Sequence, residues 1–333
     1  MPVILGPTAC GKTAVAARLA YEIGGEVISA DSRQVYRGMD IGSGKDLDDY
    51  VVEGTHVPYH LIDIAEPGSE YNIFEYQKDF SRVYHDIAER GKVPILCGGS
   101  GMYLESVLKG YSLPETPPDP QFAASMESTT DAELLRELSG MKKLHSTTDI
   151  TDRERMIRAI EIERKRMQDA GYGMQDEFRI SKIECRISNP QPATNNQQPA
   201  TNNQSPTTIH QFILFGINPG REIVRQRITA RLRARLKDGM VDEVRALLLK
   251  GIPPERLKAY GLEYKFITLY IEGELTFEEM SRLLNTAIHQ FAKRQMTWFR
   301  RMEKQGMLIH WIEGEMTLEE KVRELRNMLP RDT

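Results

Sequence analysis

The stretch GPTACGKT, at residues 6–13, constrains the fold of this chain more than any other. It fits the phosphate-loop pattern G-x-x-x-x-G-K-[ST] at every fixed position. An apolar run at residues 3–5 precedes it, and helical spacing follows from Lys12 to Ile23, which gives the order strand, loop, helix. Glycines in such a loop let backbone N–H groups point at an anion, and the helix N-terminus adds its positive dipole. The stretch therefore predicts a phosphate-binding turn, without saying which reaction follows.

Further buried strands are predicted in the N-terminal part of the chain. Residues 26–30, 60–64 and 93–97 are short, mainly apolar runs, and residues 71–90 have helical spacing. Strands that alternate with helices form parallel, doubly wound sheets. The predicted fold class is α/β: a P-loop NTPase-like parallel sheet flanked by helices, with a small helical insertion domain. Active sites of such sheets lie beyond the carboxyl ends of the strands.

The texture of the sequence suggests three segments. Residues 1–112 form the first part of the P-loop core, and residues 113–152, which open with the Pro-rich LPETPPDP, form the helical insertion. Residues 153–333 form the second part of the core, with a long helix at 153–168, a strand at 210–216 and a helical remainder. The heptad QPATNNQ occurs twice, at 191–197 and 198–204. Because it has nothing to bury, residues 188–208 are predicted to be a disordered loop.

Composition excludes several classes of protein. The 333 residues carry a formal net charge of −4 and are 40% hydrophobic, which is typical of a globular chain. No apolar run reaches the length of a membrane span. A cleaved leader would remove the phosphate loop, so a cytoplasmic location is expected. The cysteines Cys10, Cys97 and Cys185 form no C-x-x-C pair, so neither a zinc site nor a disulfide framework is predicted. We expect a monomer without an obligate protein partner.

Two polar residues follow predicted strands. Asp31, in SADSRQVY, would face the catalytic crevice as a general base or as a carboxylate that acts on magnesium indirectly, through one of the ion's own ligands, or it would cap a helix. Ser100, in CGGSGMYL, either belongs to the site or only forms a turn. Spacing alone does not choose between these roles.

Two helices concentrate positive charge. In REIVRQRITARLRARLKDG, Arg227, Arg231 and Arg235 share one face, which suits phosphate groups but also fits a solvated surface. HQFAKRQMTWFRRMEK is also helical. It presents Lys293, Thr297, Arg300 and Lys304 on one side, with Trp298 nearer the other. This second helix is either a plain amphipathic helix with Trp298 in the core or a positive strip along a nucleic-acid backbone.

Taken together, the motifs resemble those of the tRNA dimethylallyltransferase family, also called tRNA isopentenyltransferases. The strings that carry the likeness are GPTACGKT, DSRQVYRGMDIGSGK, LCGGSGMYL, DRERMIRAIEI, REIVRQRITARL and HQFAKRQMTWFRR. The resemblance is to the bacterial type, because no C-terminal zinc-finger ligands are present. It implies transfer of a dimethylallyl group from dimethylallyl diphosphate to N6 of the adenosine at tRNA position 37, next to the anticodon. It also implies the tRNA anticodon stem-loop as partner and Mg²⁺ as cofactor.

The resemblance further implies roles for individual residues. Asp31 would take the proton of the adenine amine, Lys12 and Thr13 would act on the departing diphosphate with Mg²⁺ on Thr13, and Arg227 would approach the same group. The diphosphate would be bound by Gly6, Pro7, Thr8, Ala9, Cys10, Gly11, Lys12, Thr13 and Arg231. The tRNA would be bound by Asp31, Ser32, Arg33, Gln34, Ser100, Glu154, Arg155, Met156, Ile157, Arg158, Lys293, Arg294 and Arg300.

Some positions depart from the family pattern. Ser100 stands where Thr is usual in G-G-T, and Ala123 stands where Arg is common. The turn near AYGLEYKF, at residues 259–266, also differs from the usual form. Three alternatives stay open: an adenylate isopentenyltransferase that acts on free AMP, a P-loop kinase or NTPase, and a non-catalytic RNA-binding protein.

Overall fold

The structure, a computed structural model, describes residues 1–110, 119–141, 153–171 and 212–330. These residues fall into two compact units. Unit 1 comprises residues 1–110 and 212–330, and unit 2 comprises residues 119–141 and 153–171. Residues 113–118 of the predicted linker LPETPPDP, and the QPATNNQ repeat, lie outside the described residues.

Unit 1 is built on a parallel sheet. Its strands are β1 (Pro2–Leu5), β2 (Glu26–Ala30), β5 (Tyr59–His60), β6 (Pro94–Gly98), β7 (Ile213–Asn218) and β8 (Ile309–Glu313). They are ordered β5-β2-β6-β1-β7-β8, and each neighbouring pair is parallel. A separate hairpin pairs β3 (Val51–Val52) with β4 (Thr55–His56). The α/β parallel sheet predicted from the sequence is confirmed.

Helices supply the remaining layers. Along the described residues they are α1 (Lys12–Ile23), α2 (Ile73–Glu89), α3 (Gly101–Leu108), α4 (Pro120–Ser125), α5 (Asp131–Met141), α6 (Arg153–Gly171), α7 (Arg221–Lys237), α8 (Met240–Leu249), α9 (Pro254–Ala259), α10 (Leu262–Ile271), α11 (Phe277–Lys304) and α12 (Leu318–Met328). No helix in the described residues is both long and apolar enough to cross a membrane.

Successive side chains of the central strands pack into two hydrophobic cores, one on each face of the sheet. Ile4 of β1 packs on one face with residues of α1 and α12. Val3 and Leu5 pack on the other face with residues of α2, α3 and the C-terminal part of α11. Because both faces are covered, the strands β1, β2 and β6 are buried along their whole length. A third core joins α7, α8, α10 and α11 to the segment that follows β2.

Unit 2 has its own small core. Met156, Ile157 and Ile160 of α6 pack with Leu134 and Leu138 of α5. The helix predicted at 153–168 therefore exists, with the bounds Arg153–Gly171. It belongs to the same compact unit as the insertion helices, whereas the sequence interpretation assigned it to the second part of the core.

Two elements correct the sequence interpretation. The strand predicted at 60–64 ends at His60, because Leu61 and Asp63 adopt positive φ angles of 61° and 57° that extended backbone excludes. The C-terminal remainder was predicted to be helical, but β8 forms the parallel edge of the sheet beside β7. By contrast, α1 and β2 have the predicted bounds.

Candidate active site

The phosphate-loop residues form one turn between β1 and α1. Ala9 and Gly11 have φ angles of 62° and 86°, which bend the backbone around the start of the helix. No side chain caps α1 at Gly11, so the N–H groups of its first turn have no intrahelical acceptor and are available to an anion. The side chains of Lys12 and Thr13, at the beginning of α1, are half-buried. All eight residues from Gly6 to Thr13 thus belong to the turn that the sequence predicts to bind phosphate.

Thr8 is held within this turn from two sides. The guanidinium of Arg231 donates a hydrogen bond to its Oγ1. Its backbone N–H donates to Oε1 of Gln295 on α11, at 2.8 Å. The Gln295 side chain is buried, and its Nε2 donates to the carbonyl of Gly99 at 2.9 Å. Sequence reasoning missed Gln295, although a Gln on the buried side of an amphipathic helix is an unusual residue that needs polar partners.

Asp31 begins a turn directly after β2. Its Oδ1 accepts a hydrogen bond from the backbone N–H of Arg33 at 3.1 Å, and its side chain is half-buried. Turns rather than a helix follow, so the alternative that Asp31 caps a helix is wrong. The carboxylate lies beyond the carboxyl end of β2, as predicted.

Ser100 links the ends of β6 and β2. Its Oγ accepts a hydrogen bond from the backbone N–H of Ser32 at 3.1 Å, and its N–H donates to Ala30 at 3.2 Å. Although Ser100 stands at the N-cap position of α3, its side chain makes no cap. The hydroxyl therefore joins the Asp31 turn instead of satisfying its own helix.

The predicted arginine face is real, but its members differ. Arg231 reaches Thr8, and burial followed by the charge of Arg235 lowers the pKa of Arg231 from its ordinary value. Arg235 donates to both carboxylate oxygens of Asp46, at 2.7 and 2.9 Å, and Arg231 lies 3.7 Å from the same carboxylate. Arg227 is exposed. Two arginines thus converge near the loop, with Asp46 as their counter-ion.

A buried lysine near the loop was also missed. Lys321 of α12 is 8% exposed and donates to the carbonyl of Gly314 at 3.0 Å. Burial, and then the charge of Arg227, lower its pKa. Cys10 of the phosphate loop has a smaller, opposite effect and raises the pKa of Lys321. The charge of Arg227 on α7 therefore acts on the buried Lys321 of α12.

Arg33 and Gln34 already have partners inside unit 1. Arg33 pairs with Glu263 at 2.9 Å and stacks over the ring of Phe291 at 4.7 Å. Gln34 accepts from the Ser29 hydroxyl at 3.1 Å and donates to the carbonyl of Gly44 at 3.0 Å. These contacts fix both side chains within unit 1. Ser32 is exposed.

In unit 2, the predicted tRNA-binding segment is divided by burial. Met156 and Ile157 are 2% and 9% exposed and belong to the core, so their side chains are not on the surface available to a tRNA. Glu154 and Arg155 are exposed, and Arg158 pairs with Glu161 at 2.5 Å. Only the polar members of this segment have side chains outside the core of unit 2.

The basic face of α11 matches its prediction. Lys293, Arg294 and Arg300 are exposed, as are Thr297 and Lys304. Among the described residues, none of these four cations forms an ion pair, although Arg294 lies over the ring of Phe291 at 5.9 Å. We call Lys293, Arg294, Thr297, Arg300 and Lys304 the α11 strip. The opposite side is apolar, as the plain amphipathic interpretation also requires, and Trp298 packs there, partly buried.

The magnesium ion that the resemblance implies would have few protein ligands here. No group of three or more His, Cys, Asp or Glu side chains in the described ranges could hold a metal ion. Mg²⁺ needs few protein ligands, because it retains several waters and binds phosphate oxygens directly. The hydroxyl oxygen of Thr13, in the first turn of α1, is a hard oxygen ligand of the kind that Mg²⁺ prefers.

The parallel sheet and the turn between β1 and α1 define a P-loop α/β protein, and comparison with known proteins narrows the class. The model of the family described as IPP transferase matches residues 34–302. The tRNA dimethylallyltransferase 1 of Parabacteroides distasonis is 52% identical over 319 residues, which cover 96% of this chain and 94% of that protein. The chain belongs to the IPP transferase family.

Solved structures agree with this placement. The full-length tRNA isopentenylpyrophosphate transferase of Bacillus halodurans aligns with a TM-score of 0.64 and 28% identity, covering 98% of this chain and 94% of that one. A eukaryotic dimethylallyltransferase aligns with a TM-score of 0.71 over 98% of this chain and 77% of that one. At 21% identity the second likeness concerns the fold.

Proposed function

We propose that this chain transfers a dimethylallyl group from dimethylallyl diphosphate to N6 of adenosine 37 of a tRNA, and releases diphosphate. One observation carries the proposal. The phosphate loop and the Asp31 turn are joined across neighbouring strand ends, through Thr8, Gln295, the Gly99–Ser100 pair and Ser32. The turn proposed to bind the anion and the carboxylate proposed as the base thus belong to one hydrogen-bonded network.

The diphosphate would lie in the phosphate loop. The uncapped N–H groups of α1 and the Lys12 ammonium supply donors, and Arg231 approaches from α7. Arg227, exposed and one helical turn before Arg231, would meet the outer oxygens of the same group. Mg²⁺, held by Thr13, would neutralise the charge that develops on the leaving diphosphate.

Asp31 would act as the general base. The adenine N6 attacks the first carbon of the dimethylallyl group, so one C–N bond forms while the C–O bond to diphosphate breaks. The proton lost from N6 passes to Asp31, and the bonding electrons leave with the diphosphate. Because Oδ1 of Asp31 is oriented by the Arg33 N–H, the carboxylate is fixed before the substrate arrives.

A tRNA would be bound by exposed polar groups. In unit 1 these are the α11 strip and Ser32, and in unit 2 they are Glu154 and Arg155, with the partly exposed Arg158 beside them. The target base must leave its stack to reach Asp31, as in other enzymes that modify bases. The α11 strip favours tRNA over free AMP as the acceptor, because a mononucleotide offers only one phosphate to these cations.

Labelled dimethylallyl diphosphate tests the proposal when it is offered with Mg²⁺ and either unmodified tRNA or AMP. We expect label to enter tRNA alone. Asp31→Asn keeps an acceptor for the Arg33 N–H but cannot take a proton, so we expect transfer to fall by about 10²–10⁴-fold with tRNA affinity retained.

Asp238→Asn, at the exposed end of α7, is the matched control, with parental transfer expected. Label in AMP would instead favour the adenylate acceptor. Turnover of ATP without any transfer would favour a kinase or NTPase. Parental transfer by Asp31→Asn would remove this carboxylate from the mechanism.

A further inference from the structure

The buried polar side chain of Gln295 contacts the phosphate loop but has no role in the proposed chemical step. It lies on α11, is 8% exposed, and contacts two backbone groups that belong to different strand ends. Its Oε1 accepts from the Thr8 N–H of the phosphate loop, and its Nε2 donates to the Gly99 carbonyl after β6. One partner is a donor and the other an acceptor, so an amide is the side chain that satisfies both at once.

We propose that Gln295 is a positioning residue, which fixes the phosphate loop against the Gly99–Ser100 turn and so sets the distance between the bound diphosphate and Asp31. The inference rests on the proposed transfer reaction. The Thr8 N–H is taken up by Gln295 and does not face the anion, so the contact shapes the loop rather than binding phosphate. From Gly99 the connection continues through Ser100 to the Ser32 N–H, next to Asp31.

Packing around Gly99 supports the same role. A Cβ added at Gly99 would lie 2.6 Å from Nε2 of Gln295, 3.2 Å from the Gly6 carbonyl and 3.5 Å from Cε of Lys12. The amide of Gln295, the start of the phosphate loop and the Lys12 side chain therefore converge on one glycine. This close approach explains why a residue without a side chain stands directly after β6.

The reaction gives a reason for such a link. The leaving group is held by residues after β1, whereas the base follows β2, and β6 lies between these two strands in the sheet. In-line attack requires the diphosphate and the proton acceptor to keep a fixed separation, and an error of about 1 Å in such a geometry costs about 10²-fold in rate. Gln295 connects the first of these groups to the middle strand, and Ser100 connects the middle strand to the second.

Two substitutions test the proposal against a matched control. Gln295→Met keeps the approximate size but removes both hydrogen bonds, and Gln290→Met makes the same change at an exposed position of the same helix. We expect Gln295→Met to lower kcat for transfer by about 10²-fold and to weaken binding of inorganic diphosphate, with little change in tRNA affinity. Gln290→Met should behave as the parent.

The pH dependence of activity in Gln295→Glu distinguishes a positioning role from a merely structural one. The ionised carboxylate still accepts from Thr8 but opposes the Gly99 carbonyl, whereas the protonated carboxyl donates to it. Activity of this variant relative to the parent should therefore rise as the pH is lowered, while that of Gln295→Met should not. If Gln295→Met does not fold, this pH profile decides, and a flat ratio overturns the proposal.

The positioning role would also be overturned if Gln295→Met had the same kcat and the same affinity for diphosphate as the parent. Absence of transfer by the parent protein would contradict the proposed function instead. In that case, equal diphosphate affinity in the parent and Gln295→Met would contradict the positioning role as well, so the two failures are distinguishable.

Discussion

At the scale of single residues, Asp46 separates arginines that the sequence presents as equivalent. It accepts two hydrogen bonds from Arg235, whose guanidinium fits against Gly44, where a Cβ would lie 2.5 Å from both terminal nitrogens. Arg231 is 3.7 Å from the same carboxylate and donates to Thr8. Arg235 therefore pairs within the protein, whereas Arg231 is directed at the loop, where we propose that it binds the diphosphate.

Glu26 shows how an ion pair far from the chemistry stabilises the sheet. Its buried carboxylate, at the start of β2, pairs with Arg90 and lies 2.7 Å from Nε2 of His60. The bond with Arg90, and then that with His60, lower the pKa of Glu26 against the opposing effect of burial. A carboxyl with a lowered pKa in the folded protein stabilises it fully above its ordinary pKa, and this contribution is lost as the pH falls through the folded value.

We therefore predict that Glu26→Gln lowers the free energy of unfolding by about 1–3 kcal/mol near neutral pH, because Arg90 and His60 lose their charged partner. The difference from the parent should shrink as the pH falls below the ordinary pKa of a glutamate. Urea unfolding at several pH values measures it, with Glu324→Gln on α12 as the control. A difference that is independent of pH would contradict this account.

Sequence reasoning found charged residues at the site more readily than Gln295. Asp31, Lys12 and the arginines stand out because their positions follow a strand, match a motif or repeat along a helix. Gln295 lies 287 residues from Thr8 and 196 from Gly99, and nothing in its own neighbourhood shows that two backbone groups need it. Met156 and Ile157 illustrate the converse, since a string that resembles a binding segment also contains side chains that the local core requires.

At the scale of elements, α11 combines several roles through its period. Its capping box, Thr276 with Glu279, fixes the start, and 28 residues then run without interruption. One side packs on α7, α10 and α3, and the same side carries Gln295. The α11 strip lies on the exposed side. A single helix thus presents cations to solvent while holding the phosphate loop.

We predict that the double substitution Lys293→Ala with Arg300→Ala raises KM for tRNA and flattens its salt dependence. Each lost phosphate contact should reduce the slope of log K against log salt by about 0.7–0.9. Because neither residue touches the loop, kcat at saturating tRNA should change little. Lys250→Ala with Arg323→Ala, two exposed cations on other elements, removes the same charge and serves as the control. An unchanged slope would mean that the strip is only a solvated face.

Strands were predictable where they are central and less so at the edges. The bounds of α1 and β2 follow from clear periodicity and from the Gly24–Gly25 pair between them. The run at 60–64 is apolar enough for a strand, yet only long-range packing reveals the positive φ of Leu61 and Asp63. The edge strand β8 lies between two charged helices, and its pairing with β7 bridges almost a hundred residues of chain, so local pattern does not reveal it.

At the scale of the whole molecule, the topology explains why residues far apart in sequence meet at the proposed site. The strands β1, β2, β6 and β7 adjoin one another in the sheet, so their carboxyl ends bring together the phosphate loop, Asp31, Ser100 and the start of α7. Unit 2 has its own core of apolar side chains from α4, α5 and α6. The chain thus divides into a sheet-based unit that carries the proposed chemistry and a helical unit that carries further polar residues predicted to bind tRNA.

The central claim is that the phosphate loop holds a diphosphate that leaves, rather than a nucleotide that is hydrolysed. The most direct test counts inorganic diphosphate against dimethylallyl groups joined to tRNA, in a mixture of protein, Mg²⁺, dimethylallyl diphosphate and tRNA without any nucleoside triphosphate. Our account predicts one diphosphate for each group transferred. Transfer that requires a nucleoside triphosphate, or a ratio that departs from one to one, would contradict it.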